Sequence, residues 1–319
     1  MEQASVHVPV LLREVIELLQ PKSGGVYVDG TLGGGGHTQA ISRLIGPDGL
    51  VIAMDRDASA IDRSVGKRKK GIEKREQEKT SFPLFSVPCS LPPSPIRFVH
   101  ANYKDFGEAL DLLGIDRIDG MLLDLGLSSD QLADRSRGFS FDADGPLDLR
   151  FDTSEGETAM ELLRRLDETA IADLIFQYGE ERYSRRIARR IVERRRQGTP
   201  IQTVAELAEL VRRCVPRERR HTGKSINPAT RTFQALRIAV NDELGSLRSV
   251  LATVPKRLKP GGVVAVISFH SLEDRIVKNA FRDDPCWNIL TKKPIVSSDE
   301  EVERNPRARS AKLRGARLR

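Results

Sequence analysis

Cysteine is scarce in this chain of 319 residues. The three present, Cys89, Cys214 and Cys286, lie too far apart for a metal pair or a disulfide framework, which points to a reducing cytosol. No cluster of His and Cys suggests a metal. Long apolar runs are missing as well. The longest, Val263 to Ile267, is far too short to span a bilayer. The opening MEQASVHVPV has neither a basic n-region nor an apolar h-region, so no secretory leader is expected and the chain is assigned to the cytoplasm. At 39% apolar residues the chain can still bury a core, as one large domain or two modest ones. What is abundant is positive charge, net +7 at neutral pH. A solvated basic surface would account for it, but its clustering along the chain favours a polyanionic partner.

One stretch organises the rest. Val26 to Asp57 reads as an apolar run ending in Asp29, then Gly30 and Gly33 to Gly36, closed by His37. An amphipathic segment with Ile41, Leu44 and Ile45 follows, then a Gly46-Pro47-Asp48-Gly49 turn and a second apolar run, Leu50 to Met54, ending in Asp55. Strand, glycine turn, helix, turn, strand and acid make up a nucleotide-binding βαβ unit. Glycines permit positive φ and close approach of a ligand. Unpaired N–H groups at the helix start attract anionic groups. Asp55, 20 residues after Gly35, is placed to accept ribose hydroxyl protons. The G-x-G-x-x-G register of a dinucleotide site does not fit, because Asp29-Gly30-Thr31 intervenes. The stretch looks like the D-G-T-x-G-x-G-G-H form of an S-adenosylmethionine site, with NAD the alternative from this stretch alone.

Elsewhere the pattern predicts a helix over His7 to Leu19 opened by Pro9, a short helix from Ala58 to Val65, a strand at Ile96–His100, a helix from Lys104 to Leu113 and a strand at Ile118–Asp124. Residues 66–95, dense in charge and then in proline and serine, read as an inserted, partly disordered surface excursion. Arg137 to Asp152 has no period and reads as a functional loop. Glu157 to Cys214 lacks any strand signal and divides into helices at 158–165, 169–178, 180–197 and 203–214, with Thr203 and Glu206 forming a capping box. The third is rich in arginine from Arg182 to Arg196, and the density of unpaired arginines favours phosphate contact over a merely solvated face. Arg217 to Lys224 is a basic loop. Helices opening at Asn227 and at Glu243 lead to the Lys259-Pro260-Gly261-Gly262 turn, a buried strand Val263–Phe269, a helix start at Ser268–Arg275 and a last strand within Ala311–Leu318.

Four groups of motifs agree with one another: HVPVLLREV; DGTLGGGGHT with DRD; LLDLGLSSDQL with RGFSF and DGPLDLR; and NPATRTFQALRIAVNDEL with SFHSLEDRIVK and NPRARSAKLR. Together they resemble the bacterial 16S ribosomal RNA cytosine-N4-methyltransferase family (RsmH/MraW), over nearly the whole chain outside 66–95. The resemblance implies a class I S-adenosylmethionine-dependent methyltransferase, a Rossmann-like α/β fold with a mostly parallel sheet and an inserted all-helical subdomain. The methyltransferase domain would comprise 1–135 and 227–319, and 136–226 would recognise the substrate. The implied reaction is methylation of N4 of a cytidine in the decoding region of the small ribosomal subunit, with S-adenosyl-L-methionine as cofactor and no metal or membrane involved. Implied cofactor contacts are Gly35, Gly36, His37, Asp55 for the ribose, Tyr103 beside the adenine, Asp124 and Gln131. Tyr103 stands where phenylalanine is common in the family, and Gly34 where many members have a larger residue.

The target amine is a poor nucleophile because its lone pair is delocalised, so in-line positioning would carry most of the catalysis. Many amino-methyltransferases use a D/N-P-P-Y/F loop to accept an amine N–H. Here the loop reads Asp124-Leu125-Gly126-Leu127. Asp124 either accepts from the substrate amine or holds the cofactor ammonium. His270 is either a proton acceptor or a structural histidine at a helix start. The target base must be unstacked, and Arg185, Arg189, Arg231, Arg275 and Arg307 are the candidate phosphate contacts. Another RNA or DNA amino-methyltransferase, and a non-catalytic RNA-binding assembly factor with a relict pocket, are the competing functions.

Overall fold

Short apolar runs alternating with amphipathic segments build parallel strands joined by crossover helices. The computed structural model describes residues 8–74, 95–140, 145–216 and 227–319. The chain divides into two compact units, one running to Ser128 and resuming at Gly245–Arg319, the other Ser129–Leu244. The second unit begins before the 136 and ends after the 226 that the resemblance implies.

In the first unit the order is α1 (Leu12–Leu19), β1 (Val26–Asp29), α2 (Gly36–Ile45), β2 (Leu50–Asp55), α3 (Ala58–Lys74), β3 (Ile96–His100), α4 (Phe106–Leu112) and β4 (Ile118–Asp124). The second unit contains α5 (Ser129–Ala133), α6 (Ala159–Arg165), α7 (Glu168–Gly179), α8 (Ser184–Arg196), α9 (Val204–Cys214) and α10 (Thr230–Asn241). The chain then continues through α11 (Glu243–Arg257), β5 (Leu258–Ser268), α12 (Ser271–Asp283), β6 (Trp287–Ile289), α13 (Asp299–Arg304) and β7 (Lys312–Leu318).

The seven strands form one sheet in the order β3-β2-β1-β4-β5-β7-β6. The first five are parallel, and β7 runs antiparallel to both β5 and β6. Period-two alternation sends successive side chains to opposite faces. Val28, Ile52, Met121, Leu123, Val264 and Val266 pack with Phe106, Leu110, Val250 and Val277 from α4, α11 and α12. Tyr27, Val51, Leu122, Ala265 and Ile267 pack with Val15, Leu19, Ile41 and Ile45 from α1 and α2. Each fully buried aliphatic side chain contributes roughly 1.5–3 kcal/mol before chain entropy is counted. The strand order reverses between β1 and β4, and ligands of open α/β sheets bind outside the carboxyl ends at such a switch.

Three local expectations change. The first helix starts at Leu12, because Leu11 adopts a left-handed conformation (φ 53°) and gives its N–H to Glu301 Oε1 at 2.7 Å. Pro9 therefore does not open it, and His7 lies outside the described residues. Helix α3 continues to Lys74 rather than stopping at Val65, since Lys, Arg and Glu favour helix without needing a buried face. The rest of the charged and proline-rich segment, with Cys89, lies outside the described residues. Helix α8 begins at Ser184, which leaves Arg182 ahead of it. The three-residue β6 and the six-residue α13 are too short to carry a readable period.

In the second unit, Thr158 with Glu161 and Thr203 with Glu206 form capping boxes for α6 and α9. The aperiodic stretch after Gly145 is held by one buried side chain. Asn241 Oδ1 accepts the Phe151 N–H at 2.8 Å, and its Nδ2 donates to the Leu149 carbonyl at 2.7 Å. Leu149 itself takes φ 65°, a conformation costing of order 1–2 kcal/mol in a branched residue. Residues 141–144 and the basic loop at 217–224 are outside the described set. Among the described residues no helix is long and apolar enough to cross a membrane.

Candidate active site

Three strands of the first unit end in an acid at the same sheet edge: Asp29 on β1, Asp55 on β2 and Asp124 on β4. The glycine turn ties them together. Gly30 N–H donates to the Leu122 carbonyl at 2.9 Å and Leu32 N–H to the Met54 carbonyl at 2.8 Å, so the turn is stitched to β4 and to β2. Gly33 and Gly35 have φ of 49° and 79°, where a Cβ would be strained. Gly36 is required for space instead. A Cβ there would come within 2.9 Å of Pro9 Cγ.

Asp55 is placed by the turn it faces. Its Oδ2 accepts the Gly33 N–H at 2.8 Å and its Oδ1 accepts the Asp57 N–H at 2.8 Å. Burial pushes its carboxyl up to about 6, against the pull of those two N–H groups. Each oxygen retains a second lone pair. Asp29, 1% exposed, accepts the Thr31 N–H at 3.1 Å and the Thr38 hydroxyl at 2.6 Å. Burial raises its carboxyl also, with Thr38 and then His37 pulling it back.

Asp124 gives its N–H to Thr31 Oγ1 at 2.6 Å, which fixes its backbone. Its Oδ2 is 3.8 Å from His37 Nδ1. Its Oδ1 is buried and has no hydrogen-bond partner among the described residues. Burial raises this carboxyl, while His37 and then Arg307 favour its anion. His37 is 5% exposed and its Nε2 lies 3.0 Å from the Val10 carbonyl. Tyr103 stands beside Gly30, whose added Cβ would lie 3.0 Å from the Tyr103 Cβ.

Gly35, Gly36, His37, Asp55, Tyr103 and Asp124 therefore share one unit and one end of its sheet. Gln131 falls on α5 in the second unit, where it is buried. The sequence singled out Asp29 and Thr31 as part of the Asp29-Gly30-Thr31 motif without giving either a role in the site, and it did not single out Thr38. A strand-ending acid followed at i+2 by threonine was the available signal for the first two.

His270 caps α12. Its Nδ1 accepts the Glu273 N–H at 3.4 Å, its Nε2 lies 3.2 Å from Glu273 Oε1, and Glu273 Oε2 accepts the Phe269 N–H at 2.8 Å. This reciprocal capping box engages the ring Nδ1 and the His270 N–H, while Nε2 is buried with no hydrogen-bond partner among the described residues. Arg307 lies in the 3-10 turn before β7, with its charge in reach of Asp124. Arg275 is exposed and lines a groove of about 580 Å³ between α11 and α12, with Arg248, Asn279 and Asp283.

On α8 the expectation of unpaired arginines is corrected. Arg190 pairs with Glu193 at 2.9 Å and Arg194 with Glu206 at 3.3 Å, and Arg189 lies 3.7 Å from Glu168. Arg195 donates to the carbonyls of Leu163, Arg164 and Leu166 at 3.1, 2.7 and 2.7 Å. Arg185 is exposed, and Arg231 lies near the Glu180 carbonyl at 3.4 Å.

A model of the MraW methylase family matches residues 4–319. A ribosomal RNA small subunit methyltransferase H of Rhodopirellula baltica is 48% identical, with 98% of this chain and 91% of the relative covered. The protein of the same name from Sorangium cellulosum is also 48% identical, over 98% of this chain and 90% of its own. A solved rRNA methylase from Streptococcus thermophilus aligns at 10% identity and a TM-score of 0.39, covering 100% of this chain and 98% of its own.

Proposed function

We propose, from the premise that this chain belongs to the MraW methylase family, that it methylates ribosomal RNA of the small subunit from S-adenosylmethionine, and that the target is the N4 amine of a cytidine in the decoding region. The fold is class I methyltransferase, a mostly parallel seven-stranded sheet with antiparallel β7. The observation that carries the reading is the sheet edge itself: a glycine turn with two positive-φ glycines, bonded to a strand-ending acid, beside a buried carboxylate oxygen with no hydrogen-bond partner among the described residues. A nucleoside bearing an amino-acid chain suits that edge. Asp55 has lone pairs left for ribose hydroxyls, the Tyr103 side chain starts beside Gly30, and Asp124 Oδ1 lacks a donor among the described residues.

When bound, the cofactor supplies an electrophilic methyl group on a sulfonium. The chain's own part is to hold ribose at Asp55, to seat the amino-acid end by Gly35, Gly36 and His37, and to place the target amine in line. Of the two candidate catalytic groups, Asp124 is favoured, because it ends β4 at the sheet edge and is bonded to Thr31 of the glycine turn, whereas His270 spends its Nδ1 on capping α12. Arg185, Arg189, Arg231, Arg275 and Arg307 are assigned to RNA phosphates, and the helical unit to substrate recognition. The protein acts in the cytoplasm and needs no metal.

The test is direct. Incubation with labelled S-adenosylmethionine and small subunits from cells lacking the activity should place the label on a cytidine N4 in the decoding region. Label on a base carbon or on adenine would sink the N4 assignment. No label at all would leave the assembly-factor reading in its place.

A further inference from the structure

Aromatic residues make up only 5% of this chain, yet Phe176, Tyr178 and Tyr183 fall within eight positions. They lie where α7 gives way to α8, wholly inside the second unit. Tyr178 and Tyr183 are half-buried. Phe176 is 60% exposed, and among the described residues it is the one aromatic side chain that stands open to solvent. Single apolar side chains on a surface are ordinary. A phenylalanine so exposed nevertheless contributes little burial, and Gln, Glu or Lys would favour the helix more.

The neighbours of Phe176 are basic. Positions 176, 179 and 180 share a face of α7, being three and four apart. The start of α10 packs there: a Cβ on Gly179 would collide with the Arg231 carbonyl, and the Arg231 guanidinium lies 3.4 Å from the Glu180 carbonyl. Glu180 in turn gives its N–H to the Phe176 carbonyl at 2.9 Å. Arg182 follows in the turn, then Arg185 and Arg186 at the start of α8, all exposed like Arg231. Glu181 is buried, its Oε1 accepting the Tyr183 N–H at 2.9 Å. Asp173 and Glu180 are thus the exposed acids set against four exposed arginines. Farther along α8, Arg189, Arg190 and Arg194 meet Glu168, Glu193 and Glu206. Among the described residues no carboxylate lies within ion-pair distance of Arg182, Arg185 or Arg186.

An open ring framed by guanidinium groups has the two elements that hold single-stranded nucleic acid: a face on which a base stacks, and cations for the flanking phosphates. A base inside a duplex has no free face to offer. We propose that Phe176 is a stacking platform for an unpaired base of the substrate RNA, other than the base that is methylated, with Arg182, Arg185, Arg186 and Arg231 taking the neighbouring phosphates. This rests on the reading of the chain as an RNA methyltransferase and deepens it: the RNA is single-stranded where it meets the second unit.

The experiment compares the full-length protein with Phe176→Ala, with Phe176→Trp, and with Arg182→Ala combined with Arg186→Ala. Affinities for single-stranded oligouridylate, for an RNA duplex of the same length and for small subunits lacking the modification are measured over a range of salt. Phe176→Ala should lower single-strand affinity about tenfold, within the range for one stacked base. The slope of log affinity against log salt should stay as it was, because no phosphate contact is lost, and Phe176→Trp should restore the affinity. The arginine pair should instead flatten that slope by about 1.4, two phosphate contacts on a single strand. Duplex affinity should be indifferent to Phe176. The side chain is exposed, so both of its variants should melt with the parent. Unchanged single-strand affinity in Phe176→Ala overturns the proposal, as does an equal loss on strand and duplex, or a loss that tryptophan fails to restore. A loss with small subunits but none with protein-free RNA would mean that Phe176 meets a protein, and overturns it too. If the parent binds neither the strand nor the subunits, the RNA reading itself fails; a null result at Phe176 alone leaves that reading standing.

Discussion

The two charged regions of this protein are built on opposite terms. At the sheet edge of the first unit, acids are buried with few compensating charges, and burial pushes Asp29, Asp55 and Asp124 up together. On α8 of the second unit, seven of thirteen residues are arginine, yet Arg189, Arg190, Arg194 and Arg195 already have carboxylate or carbonyl neighbours. The region with less charge holds the more poised groups. Burial without a partner, rather than density along the chain, marks where a ligand has something to supply.

The largest test of that contrast is Asp55→Ala. It removes the acceptor of two backbone N–H groups as well as the proposed ribose contact, and S-adenosylhomocysteine affinity should fall at least about a hundredfold, the loss of two charge-assisted hydrogen bonds. Affinity kept within a few-fold would refute the ribose assignment. The same residue gives a pH signature. Its carboxyl sits at about 6 against an ordinary 3.8, so the folded state binds this proton more tightly than the unfolded one. Its contribution favours folding at low pH and is lost as pH rises from about 3.8 through about 6. Ribose binding needs the anion and so has the opposite sign, weakening below about 6 by up to tenfold per pH unit. Asp55→Asn should flatten that acid limb. An unchanged limb would assign it elsewhere.

On α8 the contrast predicts two kinds of arginine. Arg195→Ala strips the last carbonyls of α6 of their donor, and should cost about 2 kcal/mol of stability, as for hydrogen bonds to a charged group. RNA affinity per folded molecule should be unchanged. A large RNA defect without a fall in melting temperature would reverse the assignment. The double reversal Arg185→Glu with Arg189→Glu should instead weaken RNA binding about tenfold near physiological salt and flatten its salt dependence, with cofactor affinity intact. Most of that effect should reside in Arg185, because Arg189 already lies near Glu168. Unchanged RNA binding would remove α8 from the substrate surface.

How far the sequence could be read follows from the same distinction. The acids ending β1, β2 and β4, the glycine turn and the buried strands were legible, because alternation and punctuation are local. The fates of the arginines were not. Arg194 meets Glu206 and Arg195 reaches Leu163, partners that only the helical packing brings together. Residues 66–74 misled because a charged, aperiodic stretch can be helical by propensity alone. The start of α1 misled for a different reason: Pro9 looked like a helix opener but serves as the surface against which Gly36 must be bare.

The smallest expected effect lies where the arginine network meets a helix cap. Glu206 closes the capping box of α9 with Thr203 and also receives Arg194. Burial works against its anion, but the N–H groups of Gln202 and Thr203 and the Arg194 guanidinium outweigh it, holding the carboxyl below its ordinary 4.5. A depressed carboxyl stabilises the fold above its unfolded value and loses that contribution as pH falls through the folded one. Thr203→Ala should therefore cost about 1 kcal/mol at neutral pH, the usual worth of a cap. Glu206→Gln should cost about as much at neutral pH and progressively less on acidification below 4.5. Thermal melts of the two variants from pH 3.5 to 7 separate the contributions. A Glu206→Gln deficit that persists undiminished at the acid end would mean that the ion pair with Arg194 contributes nothing, and would return that arginine to the set available for RNA.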